Sequence, residues 1–520
     1  MEKYQVLLQM AIEQNFNWNK LQNGSDIRGI ALEGVKNENI NLTPEIAKIL
    51  GQAFVTWLSR KVNKPSTELI VAVGRDSRLS GPAIMQATLD GITAVGSQGH
   101  DFEMASTPAM FMSTITAGFE CDGAIMLTAS HLPFNRNGLK FFTAQGGLEK
   151  QDISDILSLA ATNNFEIAAV KGRITNRDFM SVYANQFVEQ IRSSVNHPTN
   201  FDRPLSGLKI IVDAGNGAGG FYADRVLQPL GADTTGSQFL DPDGTFPNHV
   251  PNPEDPTAMA AICQAVIAHQ ADFGIIFDTD VDRSAAVDST GKELNRNRLI
   301  GLISAIVLQE HPQSTIVTDS ITSDGLTQFI EQDLGGTHHR FKRGYKNVIN
   351  ESIRLDRSGQ ESWVAIETSG HAAMKENHFL DDGAYLVSKL LIELAKSKLA
   401  DRSLTDLIAN LQEPVESQEL RIKITTEDFQ AYGNKVIEQM QAFALSQTDW
   451  KIVPNNYEGV RVACTSESED GWYLLRLSLH DPVIPVNIES NISGGVDRIK
   501  QRLLPFLKTQ ESLDISAFSS

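Results

Sequence analysis

The sequence predicts an α/β protein, and three observations support that class. Short apolar runs rich in β-branched residues recur along most of the chain, and each gives way to polar residues and then to a helical pattern. The C-terminal part differs, because strand-like apolar segments at 472–477 and 483–488 predict an antiparallel sheet in a smaller α+β domain. A chain of 520 residues is too long for one core and predicts about three or four domains.

Four strand-then-loop units predict the sheets of the α/β part. They lie at residues 68–78, 208–217, 273–278 and 315–320. Strands that alternate with helices form parallel or mixed sheets covered by those helices. Linker-like breaks then predict four domains, with bounds 1–196, 197–297, 298–413 and 414–520. We expect the tail after Lys508 to fray.

Composition and charge exclude several functions. The net charge of −19 argues against non-specific binding to nucleic acid or to an anionic membrane. The three cysteines, Cys121, Cys263 and Cys464, are far apart and form no CxxC pair, which fits a reducing cytoplasm. The first twenty residues lack the apolar core of a signal peptide, and no apolar run reaches the ~20 residues of a membrane span. We therefore expect a cytoplasmic protein.

The segment Thr128–Lys140 is the most informative stretch of the chain. It follows the apolar run 123–127, where Ser, His, Pro, Asn and Gly replace the apolar pattern. Loops at strand ends often carry the chemistry of α/β enzymes. Ser130 could carry a phosphoryl group, with His131, Arg136 and Lys140 supplying charge and protons. The alternative is a turn whose polar residues only satisfy backbone groups.

Three alternating carboxylates follow another predicted buried strand, at Asp278, Asp280 and Asp282. Carboxylates this close repel one another unless a cation lies among them. Oxygen ligands suit a hard ion, so the sequence predicts Mg²⁺, which would neutralise charge during phosphoryl transfer. The alternative is a solvated acidic turn, which is costly at a strand end.

Two further segments carry weaker signals. Glu367 and Ser369 could hold adjacent sugar hydroxyls, since a carboxylate accepts two O–H donors; a plain helix N-terminus is the alternative. Arg476 with Ser478 could bind a phosphate that does not react, although an ordinary strand with a surface arginine explains the same pattern.

Two other patterns are misleading. The glycines of 215–220 satisfy the GxGxxG spacing, but Asp233 is poorly placed for a dinucleotide ribose, so we interpret them as a tight strand-to-helix turn. The Asp278–Asp280 pair superficially resembles haloacid-dehalogenase-type phosphatases. Asp282 and Arg283 stand where that class usually has Thr or Val.

The ordered set of segments resembles the α-D-phosphohexomutase family over nearly the whole chain. The 25–29 segment is similar to the family's N-terminal arginine motif, 128–131 to its phosphoserine loop, and 278–283 to its metal loop. Residues 344–346 and 367–371 are similar to its two sugar-binding loops. The resemblance implies four domains around a central cleft, the first three with related mixed α/β sheets.

The resemblance also implies a role for each site residue. It implies that Ser130, once phosphorylated, donates its phosphoryl group to a sugar monophosphate, assisted by His131, Lys140 and Arg28. It implies a Mg²⁺ ion held by Ser130, Asp278, Asp280 and Asp282. The implied substrate-binding residues are Arg283, Gly344, Tyr345, Lys346, Glu367, Ser369, His371, Arg476, Ser478 and His480.

Two loops depart from the family pattern. Leu479, His480 and Asp481 replace the usual Gly/Asn-Thr-Glu after Arg-x-Ser, and Lys342 and Arg343 add charge to the first sugar loop. Weaker binding of the phosphate that does not react would release a bisphosphate intermediate, because each ~1.4 kcal/mol of binding free energy lost shortens its residence time tenfold. These loops resemble a divergent branch that makes glucose 1,6-bisphosphate.

The sequence therefore leaves three functions open. The first, which the altered loops favour over the others, forms glucose 1,6-bisphosphate from glucose 1- or 6-phosphate, with a sugar bisphosphate such as fructose 1,6-bisphosphate as donor. The second is reversible phosphoglucomutase or phosphomannomutase activity on hexose 1- and 6-phosphates. The third is a catalytically silent sugar-phosphate sensor, against which the intact Ser130, Lys140 and acidic loop argue. The expected partners are small hexose phosphates and bisphosphates, without nucleic acid or membrane.

Overall fold

The structure, a computed structural model, describes residues 16–478 and 481–518. Contacts divide the chain into two compact units. The first contains residues 1–294, 369–372 and 380–402, and the second contains residues 295–368, 373–379 and 403–520. Across the described residues, no helix combines the length and the apolar character needed to cross a bilayer.

The first unit begins with a mixed sheet of eight strands. In spatial order these are Gln22–Asn23, Asp26–Ile30, Arg136–Thr143, Gly123–Leu127, Ile70–Arg75, Gln98–Met104 and Ile174–Asn176, with Gly146–Gly147 beside Arg136–Thr143. The α-helices of this region are Pro44–Val62, Gly81–Ala94, Thr107–Met112, Lys150–Thr162 and Phe179–Val195, with 3-10 turns at Trp18–Leu21 and Ser66–Glu68. The two strands beside Ile70–Arg75 run parallel to it, whereas Arg136–Thr143 is antiparallel to Gly123–Leu127.

Local sequence explains how the helices of this unit begin and end. The hydroxyl of Thr43 accepts a hydrogen bond from the Ile46 amide at 3.3 Å, and Pro44 lies in the first turn, where it loses no helical hydrogen bond. Asn63 then ends this helix in the left-handed conformation, with φ of +52°. The helix packs its apolar face into the largest core cluster of the first unit.

A second, four-stranded sheet completes the first unit. Its strands, in spatial order, are Glu293–Leu294, Ser284–Asp288, Phe273–Phe277 and Ile210–Asp213. Its helices are Pro256–His269 and the π-helical turn Tyr222–Leu227, and the first unit also contains the helix Gly383–Leu399. Ile210–Asp213 is parallel to Phe273–Phe277, which forms an antiparallel hairpin with Ser284–Asp288. Residues 215–220 form the predicted turn after a strand.

The second unit contains a parallel three-strand core with Thr315–Asp319 between Thr337–Phe341 and Ser362–Ile366. Two short strands follow along the chain, Ala372–Met374 and Leu380–Asp381, and the second of these belongs to the first unit. The helices here are Arg296–Glu310, Asp324–Gln328, the π-helical turn Phe329–Asp333 and Tyr345–Arg357, with 3-10 turns at Lys375–Asn377 and Leu404–Ile408.

The C-terminal sheet of the second unit is antiparallel, as predicted. Its strands in spatial order are Trp450–Ile452, Val460–Cys464, Gly471–Leu475, Val483–Ser490, Glu416–Ile424 and Leu513–Asp514. The helices Phe429–Leu445 and Gly495–Leu507 and the turn Ser516–Phe518 complete it. The expectation of a frayed tail was wrong, because Leu513–Asp514 pairs with Glu416–Ile424 and Phe518 is buried in the core of this sheet.

Candidate active site

The loop after Gly123–Leu127 is fixed by Arg78, whose side chain is fully buried. Its guanidinium donates hydrogen bonds to the backbone carbonyl groups of Ser130, Leu132, Pro133 and Arg136. The Arg78 charge is balanced by Asp76, at 3.3 Å. Because Ile70–Arg75 and Gly123–Leu127 are parallel neighbours, the loops at their carboxyl ends meet at the same sheet edge.

Ser130 has a backbone conformation that serine rarely adopts. Its φ is +49°, in the left-handed region, and its amide donates to the Thr128 hydroxyl at 2.8 Å. Its hydroxyl donates to Asp278 Oδ2 at 3.2 Å and accepts from the Arg283 guanidinium at 3.1 Å. The structure thus brings the predicted nucleophile beside one predicted metal ligand and one predicted substrate-binding arginine.

His131 presents an unprotonated nitrogen to the same group of residues. The Arg283 guanidinium lies 2.7 Å from its Nδ1, and because arginine can only donate, Nδ1 must accept. Shielding from water, together with the charges of Arg283 and Arg28, lowers the pKa of His131 below its usual value. The imidazole is therefore neutral near pH 7, with Nδ1 3.3 Å from the Ser130 hydroxyl.

The acidic loop lies between the strands Phe273–Phe277 and Ser284–Asp288. Asp278 and Asp280 are fully buried, Asp282 is 3% exposed, and oxygens of all three lie within 4.8 Å of one another. Burial and the charges of its two neighbours raise the pKa of Asp278 well above its usual range. Such an arrangement is unfavourable for bare carboxylates.

Unpaired oxygens show that these residues fit a cation. In the described part of the chain, Asp280 Oδ1 and Asp282 Oδ1 are buried without a hydrogen-bond partner. A buried carboxylate oxygen left unsatisfied is costly, so each such atom calls for an explanation. Oxygen-only donors are the set that hard divalent cations prefer. The acidic loop could therefore hold such an ion.

Lys140 lies in the strand Arg136–Thr143, beyond the loop where the sequence analysis placed it. Its ammonium is 3.0 Å from Asp280 Oδ2 and 2.5 Å from Asp282 Oδ2. Burial opposes its charge, but the two carboxylates outweigh burial and hold the pKa of Lys140 well above its usual value. Lys140 is therefore protonated at neutral pH.

The two other cations predicted near Ser130 differ in their contacts. Arg28 lies in Asp26–Ile30, opposite Gly138, and donates to the Thr128 carbonyl at 3.0 Å and to Asp26 at 2.9 Å. Arg136 pairs with Glu38 at 2.5 Å. The charge of Arg136 is therefore compensated by Glu38, and its role beside Ser130 stays a prediction.

The sugar loop predicted at 367–371 is divided between the two units: Ser369 and His371 belong to the first and Glu367 to the second. His371 forms a bridge with the backbone of Arg283, and its Nδ1 contacts Asp381. Burial would lower its pKa, but Asp381 and Asp282 raise it. Asp282, His371 and Asp381 also have the spacing of metal ligands, and His371 could contribute a ligand only in its neutral form.

Three residues of this centre were missed by the sequence analysis, namely Arg78, Thr107 and Asp381. The position of Arg78 could have indicated its role, because it lies in the loop after a predicted strand, as Ser130 does. The Thr107 hydroxyl donates to Asp280 Oδ2 at 2.5 Å, and its amide donates to the Asp280 carbonyl at 2.8 Å. Nothing in the sequence near Thr107 or Asp381 indicates these long-range contacts.

In the second unit, the two predicted sugar loops meet at Glu367, which is 3% exposed. Its Oε1 accepts a hydrogen bond from the Gly344 amide at 2.6 Å. Gly344 has a φ of +117°, which favours glycine, and precedes the helix that begins with Tyr345 and Lys346. A hydrogen bond therefore joins Glu367 to the turn at residues 344–346.

Two arginines and three carboxylates lie close together in the same unit. We call Asp319, Arg343, Glu419, Glu458 and Arg476 the arginine–carboxylate cluster. Arg343 is 3.8 Å from Asp319 and 3.9 Å from Glu419, and its amide donates to Glu458 at 2.9 Å. The charge that Arg343 adds to the first sugar loop is therefore compensated, which the sequence analysis did not foresee.

Arg476, the predicted ligand of the far phosphate, is 8% exposed. Burial lowers its pKa, against the opposing charge of Glu458. The Ser478 hydroxyl accepts a hydrogen bond from the Asp481 amide at 3.3 Å. His480, with Leu479, lies outside the described residues.

The chain is similar to known proteins of one family. The three family models described as phosphoglucomutase/phosphomannomutase α/β/α domains I, II and III match residues 19–166, 183–291 and 295–415. A phosphoglucomutase of Neisseria meningitidis is 29% identical over 94% of this chain and 96% of its own. A phosphomannomutase/phosphoglucomutase of Pseudomonas syringae is 31% identical over 85% of this chain and 89% of its own.

Solved structures match over the same extent. The crystal structure of a phosphoglucomutase/phosphomannomutase family protein from Burkholderia thailandensis is 27% identical to this chain. It superposes with a TM-score of 0.75, covering 96% of this chain and 98% of its own. The similarity therefore includes both compact units.

Proposed function

The chain belongs to the phosphoglucomutase/phosphomannomutase family, and we propose that it interconverts hexose 1- and 6-phosphates through a phosphoserine at Ser130. The environment of the Ser130 hydroxyl supports this proposal most directly. This hydroxyl lies 3.1 Å from a guanidinium and 3.2 Å from a carboxylate of the acidic loop. A nucleophile beside a cation and a metal-binding carboxylate suits phosphoryl transfer.

Different residues of the first unit would act as base, as acid and as charge-stabilising groups in the transfer. A sugar hydroxyl attacks phosphorus, the bond between phosphorus and Ser130 Oγ breaks, the hydroxyl proton passes to a base, and Ser130 Oγ takes a proton from an acid. We assign the base to His131, which would hold the proton only briefly because Arg283 and Arg28 oppose a charged imidazole. The two arginines also supply positive charge to the transferring group. Protonated Lys140 can give a proton to Ser130 Oγ, and in the reverse transfer the same two groups return these protons.

The acidic loop would hold Mg²⁺ through Asp278, Asp280 and Asp282, with a phosphoryl oxygen on Ser130 as a further ligand. When bound, this ion would neutralise charge on the transferring phosphoryl group. The unpaired oxygens of Asp280 and Asp282 support this assignment.

The remaining predicted residues would bind the substrate. Glu367 and Ser369 would accept or donate hydrogen bonds to ring hydroxyls, with Gly344, Tyr345, Lys346 and His371 shaping the sugar site. Arg476, Ser478 and His480 would bind the phosphate that does not react. The names of the relatives, phosphoglucomutase and phosphomannomutase, support hexose phosphates as substrates.

A second candidate function is the net synthesis of glucose 1,6-bisphosphate. The arginine–carboxylate cluster favours it, because three carboxylates compete with a phosphate for Arg343 and Arg476. A weaker grip would let a bisphosphate intermediate leave before it returns its phosphate to Ser130. Fructose 1,6-bisphosphate would then be a possible donor for repeated turnover.

One experiment separates the candidates. Purified protein, Mg²⁺, glucose 1-phosphate and fructose 1,6-bisphosphate are mixed, and products are followed by ³¹P NMR. Conversion to glucose 6-phosphate with only catalytic bisphosphate supports the mutase. Glucose 1,6-bisphosphate in many-fold excess over protein supports the synthase. Absence of phosphate on Ser130 by mass spectrometry, with no turnover, would contradict both and favour the sensor.

A further inference from the structure

Glu458 places a carboxylate among groups that could bind a phosphate. It precedes the strand Val460–Cys464, whose first residue pairs with Leu475, so the turn lies beside Arg476. A Cβ added at Gly459 would come within 2.8 Å of the Arg476 Cα. Glu458 Oε1 accepts hydrogen bonds from the Arg343 amide at 2.9 Å and from the Ser320 hydroxyl.

These donors resemble those of a phosphate site. A backbone amide, a serine hydroxyl and a guanidinium are the groups that proteins commonly use to bind phosphate oxygens. Arg476 Nε is buried and makes no hydrogen bond in the part of the chain that the structure describes. A donor thus remains available next to the carboxylate, and the charge of Glu458 opposes the arrival of a second anion.

We propose that Glu458 is a specificity-determining residue that competes with a substrate phosphate for Arg343, Ser320 and Arg476. A hexose bisphosphate must displace the carboxylate or bind beside its charge, and it therefore leaves sooner than it would from a neutral site. This inference rests on the proposed function, in which Arg476 binds the phosphate that does not react. It makes Glu458 the residue that sets the balance between isomerisation and release of the bisphosphate.

The test is Glu458→Gln, which keeps a hydrogen-bond acceptor and removes the charge. Binding of glucose 1,6-bisphosphate is measured by isothermal titration calorimetry at two ionic strengths. We expect the variant to bind about tenfold more tightly at low salt, with a smaller gain at high salt because salt screens charge repulsion. Glu467→Gln, at an exposed position in the turn between the strands Val460–Cys464 and Gly471–Leu475, is the matched control and should change affinity less than about twofold.

A second variant distinguishes the loss of the Glu458 charge from an effect of misfolding. Glu458→Ala also removes the charge, and because the side chain is only half-buried, it should fold and bind more tightly than the wild type. In turnover assays, both variants should release less free bisphosphate per isomerisation. Unchanged affinity in both variants, an equal gain in Glu467→Gln, or no binding by any protein would overturn the inference.

The binding assay requires no turnover, so it is independent of the experiment on Ser130. If Ser130 never carries phosphate while Glu458→Gln binds more tightly, the proposed function fails and the competition by Glu458 stands. If Ser130 is phosphorylated and active while the variants bind as the wild type does, the role of Glu458 fails alone.

Discussion

The guanidinium of Arg78 donates a hydrogen bond to the backbone carbonyl of Ser130. A left-handed serine costs of order 1 kcal/mol or more and persists only where its surroundings fix it. Arg78 provides this restraint through several carbonyl groups of the same loop, and Asp76 balances its buried charge. The predicted nucleophile is thus positioned by a residue that is itself hidden from solvent.

Replacing Arg78 should therefore damage both stability and phosphoryl transfer. Arg78→Met leaves Asp76 buried without its counter-ion, which typically costs about 3–5 kcal/mol. We expect a melting temperature lower by several degrees and slower phosphorylation of Ser130, measured by calorimetry and mass spectrometry. Arg78→Lys keeps the charge but offers fewer donors, so it should recover more stability than activity. Full activity in both variants would contradict the positioning role.

Lys140→Met should separate cation binding from catalysis. The ammonium of Lys140 contacts Asp280 and Asp282, so a divalent cation and Lys140 compete for the same oxygens. Without the lysine charge, we expect Mg²⁺ to bind at least as tightly, while transfer slows by about 10²–10⁴-fold because a proton donor is lost. Calorimetric titration and steady-state rates measure the two effects. Lys171→Met, at an exposed position, is the control and should change neither.

Removal of the cation should affect stability as well as activity. A ligand present at 100 times its Kd stabilises the folded state by about 2.7 kcal/mol, so Mg²⁺ should raise the melting temperature and EDTA should reverse the rise. Asp280→Asn should weaken this response. Asp155→Asn, on an exposed helix face, should respond as the wild type does. An equal response in both variants would place the cation elsewhere.

The buried pair of His249 and Asp213 predicts a pH dependence of stability. His249 Nε2 lies 3.1 Å from Asp213, and although burial alone would lower its pKa, this carboxylate raises it above 6.5. The folded state then holds the proton more tightly than the unfolded state does. The pair's contribution is therefore complete below about pH 6.5 and is lost as the pH rises through the folded-state pKa.

Denaturant unfolding at several pH values measures this effect. Each unit by which the His249 pKa is raised is worth about 1.4 kcal/mol. His249→Gln should reduce the decline in the free energy of unfolding above pH 6.5, whereas His197→Gln, in the segment after the helix Phe179–Val195, should leave it unchanged. A wild-type stability that rises over this range would refute the assignment.

Arg461 should be the arginine whose loss most destabilises the second unit. It is 1% exposed and lies 3.5 Å from the centroid of the Trp472 ring. It donates to the carbonyls of Ser320 and Thr322 and to Asp324. Arg461→Met should cost about 3–5 kcal/mol because those acceptors lose a charged donor. Arg421→Met, with a side chain 53% exposed, should cost less than about 0.5 kcal/mol in the same calorimetric assay.

Local sequence patterns predicted much of the fold and much of the site formed by Ser130 and the acidic loop. The apolar run before Ser130 and the run before Asp278 both form buried strands, and the loops that follow lie together because these strands end near one another. The family predicted from the ordered motifs is confirmed by the matches to domains I, II and III. Periodicity suffices for these features because each depends on residues close in sequence.

The parts that escaped prediction depend on distant contacts. Thr107 meets Asp280 across 173 positions, and Glu458 meets Arg343 across 115. Neither residue differs in its neighbourhood from an ordinary cap or turn. The tail after Lys508 escaped for a similar reason, because Phe518 is buried by strands far away in the sequence. No local pattern shows which surface will receive such a side chain.

The acidic loop is tied by its backbone to both sheets of the first unit. The Thr107 amide donates to the Asp280 carbonyl and the Ala218 amide donates to the Thr279 carbonyl, both at 2.8 Å. These two sheets are therefore not interchangeable modules. In a chimera joined to a relative near residue 200, the acidic loop would come from one protein and the residue at position 107, which contacts it, from the other. A junction near residue 295 leaves these two contacts intact, but it exchanges residues 369–372 and 380–402, which belong to the same unit as the acidic loop.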